Sequence, residues 1–460
     1  MTNKALLILL FLAGWGLASC GGKKSANTAQ NQDKTFWQYA KTPPMGWNSW
    51  DCYGPTVTEA EVKANTDYMA DKLKQHGWEY VVVDIRWYIE NDKAGGYNEK
   101  DAIYTMDEYG RFTPAVNRFP SAANGMGFKP LADYVHSKGL KFGIHLMRGI
   151  PVEAIKKNTP IKDSQVKASE IYSDSLQCGW LRDMKTIDTL KAGAQDYYNS
   201  IFNLYASWGV DYVKVDDLSR PYHHGEIAMI RKAIDQTGRP MVFSTSPGAT
   251  PLKWANHVVN HANMWRICDD FWDNWGMLKP QFKRCADWAP YIGEGHFPDA
   301  DMLPLGHIAL RAERGKDRMT GFTKPEQYTL MNLWSMFRSP LMFGGDLPTN
   351  DDFTLSLITN DEVLAVNQNS RNNKELKSEN GLIVWTADVP ETEDKYVAFF
   401  NINDSIASDI QVSLAELGLS GNYSVKDLWS TEDKGTVTEK YTAAAIEPHA
   451  SVLVRFSKVK

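Results

Sequence analysis

"GVDYVKVDDLSR", residues 209–220, reads as a buried strand, yet Lys214, Asp216 and Asp217 stand among Tyr212, Val213 and Val215. Charges in such a strand cost free energy unless they are paired or used. Side chains alternate along a strand, so Tyr212, Lys214 and Asp216 share one face, and Val213, Val215 and Asp217 share the other. The helical stretch before it, "GAQDYYNSIFNLYASWG" (193–209), ends on glycine, as helices before strands often do. An apolar face that meets helices and a charged face turned inward describe one strand of a parallel barrel. Lys214 and Asp216 then point to the axis near the strand's C-terminal end, where barrel active sites lie.

The same rhythm extends outward. Short apolar stretches at 45–50, 79–85, 140–146, 211–217, 240–246, 263–270, 299–303 and 339–345 alternate with helical patterns. Eight such units predict an α/β chain with a (β/α)8 TIM barrel over residues 41–360, longer than a doubly wound sheet requires. Beyond 360 come "GLIVWTADV", "KYVAFFNIN", "IQVSLAEL", "YSVKDLW" and "YTAAAIEPHASVLVRFS", strands with no helix between them. These predict a C-terminal antiparallel β-sandwich over 365–460 that packs on the barrel.

The alternation test applies equally to "MWRICDD" (264–270). Met264, Arg266, Cys268 and Asp270 share a face, opposite Trp265, Ile267 and Asp269, so Asp270 is nominated over Asp269. Asp217 and Asp269 are left to supporting or surface roles. Two strands would each deliver a cation and a carboxylate to one axial pocket. Paired carboxylates in unlike settings suit glycoside hydrolysis: one stays ionised to attack, the other carries a proton for the leaving oxygen. Lys214 is expected to favour the anion at Asp216. A buried ion-pair network stabilising the barrel is an equal reading of the same pattern. A metal hydrolase fits less well. Adjacent His223 and His224 do not chelate one ion together and no HxH strand occurs, so neither metal nor cofactor is expected. "FGGD" (343–346) reads as a turn after a strand rather than a phosphate cradle.

Composition narrows the partners. The chain has 460 residues, 43% hydrophobic and 23% charged, with a net charge of −6 and no basic block, which argues against nucleic acid. Sixteen Trp and 12% aromatics serve a core, and also suit sugars, whose C–H faces pack flat on indole. Residues 1–20 carry Lys4, an apolar run at 5–17 and small residues before Cys20, the pattern of a secretion signal. "LASC" resembles a bacterial lipobox, with Cys20 as the lipidated residue, 21–40 as a polar tether, and a membrane-anchored lipoprotein of the periplasm or cell surface as the expectation. The lipid would be the chain's one contact with membrane. A plain signal peptide is the alternative. Cys52, Cys178, Cys268 and Cys285 are too few and scattered for a disulfide framework.

From residue 42 onward the chain resembles glycoside hydrolase family 27, the α-galactosidase family. "TPPMGWNSWDCYG" is similar to its opening strand, "YVKVDD" to its nucleophile strand and "MWRICDDFWDNW" to its acid/base strand, with "DADMLPLG" and "LWSMFRSPLMFGGDL" following in order. The resemblance implies Asp216 as nucleophile, Asp270 as acid/base, and sugar contacts by Trp50, Asp84, Lys214, Arg266 and Asp301. It also implies a retaining, exo-acting enzyme releasing terminal α-D-galactose. Three departures bear on the substrate: Ile85 replaces the second aspartate of a pair, His145 the usual tyrosine of strand three, and Ser246 a glutamate reading the sugar's 2-position. Ile85 makes β-L-arabinopyranose, galactose without its hydroxymethyl arm, the alternative sugar. A glycan-binding lipoprotein with little catalysis is the alternative of another class.

Overall fold

The computed structural model describes residues 34–459. Eight parallel strands form the barrel: β1 (Met45–Asn48), β2 (Tyr80–Val83), β3 (Lys141–Met147), β4 (Tyr212–Asp216), β5 (Val242–Thr245), β6 (Met264–Arg266), β7 (Phe297–Asp299) and β8 (Leu341–Phe343). They pair in the order 7-6-5-4-3-2-1-8. A parallel bridge between Leu303 and Phe343, and the Leu303 N–H donated to Met342 O at 2.8 Å, join the β7 end to β8 and close the ring.

The period of two is visible in the packing. Val81 and Val83, Val213 and Val215, and Leu341 and Phe343 belong to the main core under the helices. Their in-between neighbours Tyr80, Val82, Tyr212 and Met342 join Val242 and Met264 in a separate apolar cluster inside the barrel. Each fully buried residue of this size contributes about 1.5–3 kcal/mol. The interior is thus filled below by apolar side chains, and along β4 the inward series runs Tyr212, Lys214, Asp216 from this plug to the open end.

Helices follow the strands, among them α1 (Glu59–Tyr68), α2 (Lys129–Ser137), α3 (Ala194–Trp208), α4 (His224–Gln236) and α5 (Lys324–Phe337). The first is started by a capping box between Thr58 and Glu61. The third ends at Gly209 with φ 84°, a left-handed turn that only glycine adopts cheaply. The last is buried along most of its length, because it lies between barrel and sandwich: Thr329 Oγ1 donates to His449 O and Asn332 Nδ2 to Ser451 Oγ.

The C-terminal sandwich holds a six-stranded sheet, in the order β9 (Arg371–Glu379), β10 (Leu382–Asp388), β11 (Lys395–Asn401), β16 (Ser451–Lys458), β13 (Tyr423–Asp427), β14 (Asp433–Val437). A two-stranded sheet of β12 (Ser408–Ser413) and β15 (Lys440–Ile446) faces it. Val384, Val397, Phe399, Ile410, Val412 and Phe456 fill the space between.

Four expectations need correction. The seventh strand is Phe297–Asp299 rather than 299–303. The sixth ends at Arg266, so strand alternation does not extend to Asp270. The sandwich contains β9 and β14, which were not foreseen, and the last stretch divides into two strands. The tether does not reach residue 40, because Thr35–Ala40 is a 3-10 helix with Phe36 and Ala40 buried, and Ala40 joins the barrel's inner cluster. Cys20 and the signal segment lie outside the described residues. Cys52, Cys178, Cys268 and Cys285 are free thiols.

Candidate active site

A cavity of about 760 Å³ opens at the C-terminal ends of the strands. A larger cavity of 1330 Å³ lies between the barrel's other end and the sandwich. There Asp388 is already committed, to Asn372 and Lys395. The smaller cavity gathers the axial charges and is the candidate site.

Its floor is built on β2 and β4. Lys214 Nζ lies 2.9 Å from Asp84 Oδ2, and Asn48 Nδ2 donates to the same oxygen at 2.8 Å. Burial pushes the Asp84 carboxyl up, but Lys214, then His145 and Asn48, outweigh it, and the group sits below its usual value. The direct partner of Lys214 is therefore Asp84, and Asp216 acts on Lys214 only through its nearby charge. Asp216 is held instead by His145, whose Nε2 lies 2.9 Å from Asp216 Oδ2, and by the Asp217 N–H, donated to Oδ1 at 2.7 Å. His145 is fully buried beneath the cavity and does not form its wall, a correction to its expected role as a sugar contact. Asp217 takes φ 62° and pairs with Arg148 at 2.8 Å. Burial first, opposed by Arg148 and assisted by Asp216, pushes its carboxyl up to about 6.

The opposite wall comes from β6 and the turn after β7. Arg266 Nη2 lies 2.5 Å from Asp301 Oδ2 and 3.3 Å from Asp270 Oδ1. Asp301 has φ 90°, and its carboxylate accepts the Phe271 and Met302 N–H groups at 2.7 Å each. Burial and the neighbouring Asp270 and Asp299 raise its pKa against the pull of Arg266. Asp270 reaches the cavity on the turn beyond β6. Its side chain is 46% exposed, so it can meet a leaving group from the open side. Asp269 also borders the cavity, at the rim, where it pairs with Arg220 at 2.6 Å. Ser246 lines the site, its Oγ 3.5 Å from Arg266 Nη1.

Ile85 is part of the wall beside Asp84. Its two neighbours face elsewhere. Arg86 is fully buried and paired with Asp183 and Asp92, and Trp87 donates its Nε1–H to His145 O. Trp50 lines the site and stacks on Tyr97, with ring centroids 6.2 Å apart, and Tyr97 in turn lies 6.1 Å from Trp180. Tyr97 and Trp180 come from loops after β2 and β3, Trp272 from the loop after β6, and Met277 from the short helix Trp275–Leu278 that follows it. Sequence reading missed them, since loop residues carry no periodic signal. It also missed Asp51, beside Trp50 and on the cavity wall.

This arrangement offers carboxylates on two walls, cations holding three of them, and aromatic faces suited to a pyranose. The sequence profile described as "Alpha galactosidase A" matches residues 42–154 and 156–369, and that of the "Alpha galactosidase C-terminal beta sandwich domain" matches 379–456. The crystal structure of a GH27 β-L-arabinopyranosidase from Geobacillus stearothermophilus, solved with arabinose, is similar at a TM-score of 0.90 and 53% identity, covering 93% of this chain and 99% of that one. α-Galactosidase A of Cellvibrio japonicus is 31% identical over 358 residues, 74% of this chain and 71% of that protein. An α-galactosidase of Oryza sativa is 28% identical over 421 residues, 89% of this chain and 83% of that protein.

Proposed function

The chain belongs to the α-galactosidase A family, glycoside hydrolase family 27, and is a glycosidase acting on carbohydrate; from that premise we propose a retaining exo-glycosidase that prefers terminal β-L-arabinopyranose to α-D-galactose. Asp216 attacks the anomeric carbon from β4 while Asp270 protonates the leaving oxygen, and a glycosyl-enzyme forms. Asp270 then takes a proton from water, which attacks the same carbon and releases the sugar with its original configuration. His145 orients the attacking carboxylate, and the Lys214–Asp84 and Arg266–Asp301 pairs hold ring hydroxyls.

The observation that carries the sugar preference is Ile85 on the cavity wall beside Asp84. It offers no acceptor for a hydroxymethyl arm, and Arg86 and Trp87 are engaged elsewhere. L-Arabinopyranose in the β form keeps the ring stereochemistry of α-D-galactose and lacks that arm. The similarity to a β-L-arabinopyranosidase supports the reading. Sequence reading ranked galactose first, and this proposal reverses the order. A glycan-binding protein without catalysis is less well supported, since both carboxylates border the cavity. Hydrolysis of an aryl β-L-arabinopyranoside and an aryl α-D-galactoside, side by side, tests the proposal, with faster turnover of the first expected. We also propose that Cys20 carries lipid and anchors the enzyme to a membrane facing the periplasm or the cell exterior.

A further inference from the structure

Asp51 follows Trp50 in the short helix Trp50–Tyr53 that leaves the first strand, and it borders the same cavity as Asp216 and Asp270. It is 3% exposed, and its Oδ2 has no hydrogen-bond partner. The carboxyl is seated against Gly344: a Cβ built there would stand 2.0 Å from Oδ2, so only glycine leaves it room. The Gly344 N–H is donated to Leu303 O and gives the carboxyl nothing. The cations lining the cavity are paired elsewhere, Lys214 with Asp84, Arg266 with Asp301 and Asp270, Arg220 with Asp269 and Arg314 with Glu313. A carboxylate at Asp51 would be a buried charge without a partner, and such groups take up a proton instead. Burial, then Asp301, with Asp270 and Asp84 adding and Lys214 opposing, raises its pKa well above the carboxylate range.

The site is rich in acceptors, because Asp84, Asp216, Asp270 and Asp301 all bring carboxyl oxygens. A sugar hydroxyl is donor and acceptor at once, and a protonated carboxyl supplies a neutral donor that the ion pairs do not. We propose that Asp51 stands as a neutral carboxylic acid and donates a hydrogen bond to a ring hydroxyl of the bound pyranose, as a substrate-binding residue of the glycone pocket. This rests on the glycosidase assignment of the cavity and not on which of the two sugars it prefers.

Two measurements test it. Asp51→Asn keeps a neutral donor and should hold kcat/KM within about threefold of wild type, whereas Asp51→Leu should lose about ten- to a hundredfold. Infrared difference spectra of the free enzyme at neutral pH, wild type minus Asp51→Asn, should show the carbonyl stretch of a protonated carboxylic acid. The spectrum needs no substrate, so a wrong choice of substrate cannot imitate its failure, and it needs only the Asn variant if the Leu variant does not fold. Absence of that band, or an Asp51→Asn enzyme as damaged as Asp51→Leu, overturns the proposal.

Discussion

His145 and Asp216 meet across adjacent strands, imidazole Nε2 to carboxylate Oδ2 at 2.9 Å, while the strand partner of His145 in register is Lys214. The imidazole lies out of the cavity, so its donated N–H is placed to orient the Asp216 carboxylate, the proposed nucleophile, rather than to touch sugar. A hydrogen bond to a charged group is worth about 1.5–3 kcal/mol, so His145→Ala should lower kcat roughly ten- to a hundredfold with little change in KM. His145→Gln should recover part of the loss. A raised KM at unchanged kcat, measured on an aryl glycoside, would return His145 to the role of sugar ligand.

Asp270 and Asp269 should separate cleanly. Loss of a general acid costs about 10²–10⁴-fold, so Asp270→Ala should lose that much on alkyl glycosides. It should lose far less on activated aryl glycosides, whose phenol leaves without help. Asp269 forms an ion pair with Arg220 in which both side chains are more than half exposed, and such pairs are worth at most about 1 kcal/mol. Asp269→Ala should stay within a few-fold of wild type. If it proves the more damaging of the two, the acid has been misassigned.

Asp217 supplies a pH dependence of stability. Its folded pKa of about 6 lies above the ordinary 3.8, so the folded protein binds this proton more tightly than the unfolded chain. The associated stability is complete below about pH 4 and is lost as pH rises toward 6, by up to about 3 kcal/mol. Asp217→Asn should therefore gain melting temperature relative to wild type between these values and level off above them. An equal difference at all pH values would show that Asp217 does not titrate there.

The anchor is tested by fractionation. Wild type should partition with membranes, and Cys20→Ala should appear in the soluble fraction. Unchanged partitioning would mean that Cys20 carries no lipid or that another anchor holds the enzyme.

The elements legible in the sequence are those with one apolar and one charged face. β4 is the clearest, because Val213 and Val215 alternate with Lys214 and Asp216 over a core of helices. β7 was misplaced because "FPDADML" puts Pro298 and Asp299 inside a three-residue strand and Asp301 just after it, so no period of two appears. β9 and β14 are the edges of their sheet and largely polar, so they bury too little for alternation to show. At the site, alternation located Asp216 through the strand itself. Asp270 lies past the end of β6, where the turn and not the pleat brings it to the cavity. Tyr97, Trp180 and Asp51 needed three dimensions, since what gathers them is the meeting of separate loops above the barrel.

Ile85 is the residue proposed to select the armless sugar. A missing hydrogen bond to a neutral hydroxyl costs about 0.5–1.5 kcal/mol and an unpaired, desolvated hydroxyl about 1–3. Together these favour β-L-arabinopyranoside by roughly tenfold to a few hundredfold. The direct measurement is kcat/KM for the aryl β-L-arabinopyranoside divided by that for the aryl α-D-galactoside, in wild type and in Ile85→Asp. The ratio should be well above one in wild type and fall by at least tenfold in the variant. A wild-type ratio below one, or a ratio that Ile85→Asp leaves unchanged, would contradict the assignment of Ile85 as the specificity residue.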